Sequence, residues 1–94
     1  MNEKDVLDRF EKYLELKGYS STTRSGNKST TYDYAHVRIT FVLREEKTNI
    51  DELIRNIDYY ISLYDYNGNK SHLGIKGHRS VINALKRLKE FDEQ

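Results

Sequence analysis

The chain has 94 residues, 36% of them hydrophobic and 33% charged, a formal net charge of +1, and no cysteine, proline or tryptophan. This length supports one modest core and excludes a multidomain enzyme. No run approaches the roughly 18 apolar residues of a membrane span, the first residues are too polar for a signal peptide, and without cysteine there is no disulfide framework or thiolate zinc site, so a cytoplasmic protein with no membrane partner is expected.

Val6, Leu7, Phe10, Tyr13, Leu14 and Leu16 recur at helical spacing, and Gly18 falls where a left-handed cap belongs, which predicts a helix over 3–17. Residues 19–29 are rich in Ser, Thr, Gly and Asn without periodicity and read as a mobile polar loop. A second helix over 30–46 starts from a Ser29 or Thr30 cap and turns Tyr34, Val37, Phe41 and Leu43 inward. The alternation over 37–43 also suits a strand, but a lone strand finds no partner elsewhere in the chain. Asn49 with Glu52 three residues later is a capping-box pattern for a third helix over 49–64, faced by Ile50, Leu53, Ile54, Ile57, Tyr60, Ile61 and Tyr64. After an Asn67-Gly68 turn and the glycines at 74 and 77, a fourth helix over 78–91 buries Val81, Ile82, Leu85, Leu88 and Phe91. The reading is all-α, a single four-helix bundle.

Charge is unevenly spread. Residues 48–66 carry a net −3 and residues 90–94 another −3, whereas residues 67–89 hold six cations, His72, His78 and no acid. A local positive field attracts phosphates even on a neutral molecule, but the same segment can equally lie against the acidic helix before it. Lys76, Arg79, Asn83, Lys86 and Arg87 can share the outward flank of the last helix and are the main nucleic-acid-binding candidates, with Arg24 and Lys28 in the polar loop and Arg38 and Arg44 as weaker ones. Tyr59 and Tyr66, outside the apolar stripe, are candidates for a protein interface, whereas Tyr60 and Tyr64 read as core with hydroxyls reaching water.

Catalytic chemistry finds no foothold. There is no P-loop or dinucleotide fingerprint, and Ser80 two residues from His78 on a helix faces another way, so neither an enzyme nor a cofactor is expected. His36, His72 and His78 lack ligand spacing to one another or to a carboxylate, so no metal is expected. Gly74-Ile75-Lys76-Gly77 has the form of a phosphate-clamping G-x-x-G loop, but the sheet that such a domain needs is not supplied by this sequence, and helix capping explains the glycines better.

Phe10-Glu11-Lys12-Tyr13-Leu14-Glu15-Leu16-Lys17-Gly18-Tyr19-Ser20, and Ser80-Val81-Ile82-Asn83-Ala84-Leu85-Lys86-Arg87-Leu88-Lys89-Glu90-Phe91 at the other end, resemble the first and last helices of the core-binding, SAM-like domain of tyrosine recombinases and phage integrases. The resemblance spans nearly the whole chain. It implies a SAM-like four-helix domain that clamps duplex DNA through its backbone, with little or no sequence preference, by the cations named above. The sequence supplies no catalytic domain after Gln94, so cleavage is not expected, and two partners follow. One is duplex DNA, bound by an accessory protein of a phage or mobile element. The other is a protein of a host defence complex, inhibited in the manner of an anti-CRISPR protein. Homodimerisation through an exposed helix face is compatible with either.

Overall fold

Asn2 opens the first helix by accepting the Lys4 amide on its side-chain oxygen at 2.8 Å, and Glu3 and Asp5 set negative charge against the exposed amides of the first turn. This helix, α1, is Glu3–Leu16 in the computed structural model, which describes residues 2–19 and 30–94. It ends as its sequence dictates. Gly18 sits at φ 95°, and the amides of Gly18 and Tyr19 close back on the carbonyls of Glu15 and Leu14 at 3.0 and 3.1 Å. Residues 20–29 of the polar loop, with Arg24 and Lys28, lie outside the described residues.

The second helix, α2, runs over residues 30–45 and settles the helix-or-strand ambiguity as helix. Its middle, Asp33–Arg38, is π-helical between α-helical Thr30–Tyr32 and Ile39–Glu45, and the Ile39 amide bonds back to Tyr34, five residues earlier. Thr31, Ala35, Ile39, Val42 and Leu43 are the buried residues, while Val37, expected inside, is 37% exposed. Thr31, Ala35, Ile39 and Val42 are themselves at helical spacing, so the helix turns inward on a different face from the one that Tyr34, Val37 and Phe41 define.

The third expected helix is two. Asn49 accepts the Glu52 amide at 2.9 Å and starts α3, Ile50–Arg55, as the capping pattern predicts. At Asn56 the backbone leaves helical geometry (φ −111°, ψ 30°), its side-chain amide donating to the Glu52 carbonyl at 3.1 Å, and α4 resumes as Ile57–Tyr64. An asparagine competing for main-chain groups is a common cause of such a break. A short helix, α5, Ser71–Gly74, then occupies part of the stretch expected as loop. Gly74 is required there, because a Cβ would run into the Tyr64 carbonyl oxygen.

The last helix, α6, spans Lys76–Asp92 but begins with a left-handed turn: Gly77, His78 and Arg79 have φ of 61°, 57° and 68°, and regular helix follows from Ser80, whose hydroxyl donates to the Gly77 carbonyl. Val81, Ile82, Ala84, Leu85 and Leu88 of α6 join Phe10 and Leu14 of α1, Ile39 and Val42 of α2, Leu53 of α3 and Tyr64 of α4 in one core, and Phe91 closes its edge with its ring centroid 5.6 Å from Phe10 and 5.5 Å from Tyr13. The described residues therefore form six helices and no strand: the all-α class holds, and breaks at Asn56 and before α6 replace the four uninterrupted helices.

Candidate functional site

The basic segment meets two fates. Lys70 reaches Glu46 at 2.6 Å and Glu45 at 3.8 Å, Lys86 reaches Asp65 at 3.1 Å, and Lys89 reaches Asp58 at 2.7 Å. Arg87 is half-buried, pairs with Glu90 at 2.9 Å and donates to the Tyr19 hydroxyl at 3.0 Å. Asp58 and Asp65 belong to the acidic segment that precedes the basic one, so much of the charge segregation in sequence is intramolecular complementarity in space. The shared outward flank therefore fails for Lys86 and Arg87, which are tied into the fold, and Asn83, about one turn before them, is half-buried.

Lys76 and Arg79 are different. Both are exposed, and among the described residues neither forms an ion pair. The left-handed turn places them. Gly77 lies so close to the Arg38 guanidinium of α2 that a Cβ there would collide with it, and Arg38 is itself held by Asp33, five residues earlier on the π-helical turn, at 2.9 Å. Lys76 extends over the Phe41 ring of α2, its ammonium 5.7 Å from the centroid. Arg79 is turned the other way, onto the side of α6 that faces α5.

There a groove of about 330 Å³ is lined by Tyr66, Ser71, His72, Ile75, Arg79 and the edge of the core at Ile82. Tyr66 is 84% exposed and Ile75 58%. Asp65 forms its floor, accepting the Tyr66 amide at 2.8 Å; that bond chiefly, helped by Lys86 and the charge of Arg79 and opposed by burial, holds its carboxyl below the usual range. The groove thus sets the exposed Arg79 guanidinium and the exposed surfaces of Tyr66 and Ile75 around a carboxylate already paired with Lys86. Of the two tyrosines singled out in the sequence, Tyr66 lines it; Tyr59, 59% exposed on α4, does not, and stacks edge-on against Tyr60 at 5.1 Å. His72 and Ile75 stand out in the sequence only as part of the basic segment and of the stretch 74–77, and nothing there points to a groove. Their place follows from the short α5.

A second cluster was not foreseen. Asp8 and Glu11, three residues apart on α1, face His36 of α2, whose Nε2 lies 3.2 Å from Asp8 Oδ1 and 3.0 Å from Glu11 Oε1. The spacing of Asp8 and Glu11 along one helix face was visible in sequence, but their partner comes from 25 residues further on.

Compared with known proteins, the chain matches no family model, no curated protein and no solved structure.

Proposed function

We propose that the chain is a non-catalytic binding module that docks an acidic protein surface on the corner between α5 and α6. The observation that carries this reading is the convergence of exposed Tyr66 and Ile75 with Arg79 around one groove. Tyrosine and arginine beside an apolar side chain are the residue types that dominate binding energy at protein interfaces. Lys76 and Arg79, exposed and without an ion pair among the described residues, favour a partner of negative charge, and a component of a host defence complex is one such partner. The discriminating experiment is affinity capture with the wild-type chain and with the Ile75→Ser/Arg79→Glu variant, followed by titration of the purified captured protein against both. Binding that falls about 100-fold or more in the variant supports the reading; equal affinity rejects it.

A second reading is duplex DNA, bound weakly and through its backbone, in a manner consistent with the resemblance to the SAM-like integrase domain. It is favoured by the approach of Lys76 and Gly77 to α2, which brings Arg38 and the exposed Lys76 to the same corner. Two or three phosphate contacts correspond to a log–log salt slope of roughly −2 to −3. Fluorescence anisotropy of a duplex of about 30 base pairs across a salt series measures that slope, and loss of binding in Lys76→Glu with retention in Ile75→Ser assigns the corner to DNA.

A further inference from the structure

We infer that Asp8, Glu11 and His36 form a binding site for a divalent transition-metal ion such as Zn²⁺, bridging α1 and α2. The inference is independent of the docking corner. One imidazole nitrogen and two carboxylate oxygens from separate side chains lie within 4.8 Å of one another. An ion bound tetrahedrally at about 2.1 Å holds neighbouring ligand atoms roughly 3.4 Å apart, so the His36 Nε2 distances of 3.0 and 3.2 Å need to open by only a few tenths of an ångström to admit it.

The surroundings hold the donors in place. Asp8 divides its two oxygens: Oδ2 takes the Lys4 ammonium at 2.8 Å, leaving Oδ1 on the His36 side. The His36 ring packs against Tyr32 with centroids 5.0 Å apart, and its side chain is only 19% exposed, so it is pre-oriented. Its direction depends on the π-helical turn, which shifts residues 33–38 relative to an α-helical register. The imidazole sets this cluster apart from an ordinary acidic patch. Nitrogen with two carboxylates suits Zn²⁺ and its first-row neighbours, whereas Ca²⁺ and Mg²⁺ prefer all-oxygen shells. Three protein ligands leave at least one position for water, as in open zinc sites.

The test is calorimetric titration of ZnCl₂ into the full chain in chelator-treated buffer, with MgCl₂ and CaCl₂ as controls, alongside thermal melts with and without Zn²⁺. One equivalent binding at micromolar concentration or tighter is expected, with a raised melting temperature. His36→Gln should weaken binding by about tenfold or more, and the near-isosteric Asp8→Asn/Glu11→Gln variant should do the same even if the histidine change perturbs folding. His72→Gln/His78→Gln should bind as wild type. The assignment is overturned by absence of saturable heat at 100-fold excess, by equal binding of Mg²⁺, by undiminished binding in both ligand variants, or by loss of binding in the His72/His78 variant instead.

Discussion

The hydroxyl of Tyr64 donates to Glu46 Oε2 at 2.7 Å, the same oxygen that Lys70 reaches at 2.6 Å. Tyr64 is fully buried, so its hydroxyl is satisfied by a carboxylate from the end of α2 and not by water, as its sequence position had suggested. The contact ties α2 to the end of α4 and the turn that leads into α5. A buried hydrogen bond to a charged group is worth about 1.5–3 kcal/mol, so Tyr64→Phe should lower stability by an amount in that range, measured by urea unfolding.

The same phenol sets a pH dependence. Burial first, then the Glu46 carboxylate, raises its pKa far above the ordinary value, so it stays protonated in the folded protein where the unfolded chain ionises. Above pH about 10 the folded state therefore binds the extra proton, and this group's contribution falls by about 1.4 kcal/mol per pH unit. Unfolding midpoints followed from pH 9 to 11 should decline more steeply in the wild type than in Tyr64→Phe; parallel slopes would contradict the assignment.

At Gly74 a methyl group has nowhere to go. Gly74→Ala drives a Cβ into the Tyr64 carbonyl, part of the backbone that α5 packs against, and the expected cost is about 3 kcal/mol, seen as a large drop in melting temperature.

The left-handed turn behaves in the opposite sense. His78 and Arg79 occupy φ of 57° and 68°, a region costing a side-chain-bearing residue about 1 kcal/mol, so His78→Gly should be neutral or stabilise the protein by up to that amount. A marked loss of stability in His78→Gly would show that the exposed imidazole makes an interaction that outweighs the backbone relief.

Among the cations of α6, removal should separate packing from charge. Lys89→Ala loses an exposed ion pair to Asp58 and should cost less than about 0.5 kcal/mol. Arg87→Ala strips a half-buried side chain from Tyr19 and Glu90 and should cost about 1–2 kcal/mol, measured by the same unfolding assay.

The helical class, the caps at Gly18 and Asn49, and most of the core positions were legible in the linear pattern, because capping and amphipathic spacing act over four or five residues. The turn at residues 33–38 was not, since the hydrogen bonds that make it π-helical leave no mark in a 3.6-residue count; nor was the buried face of α2, because Thr31, Ala35, Ile39 and Val42 and the alternative set Tyr34, Val37 and Phe41 are both helically spaced and only packing chooses between them. Charge was legible as amount but not as destination. That residues 67–89 are basic is a property of the chain; that Lys70, Lys86 and Lys89 meet Glu46, Asp65 and Asp58 while Lys76 and Arg79 do not is decided only when α4, α5 and α6 pack. The groove at Tyr66 and Ile75 and the meeting of Asp8 and Glu11 with His36 have the same origin, because groups separated by many residues become neighbours only through burial of a common core.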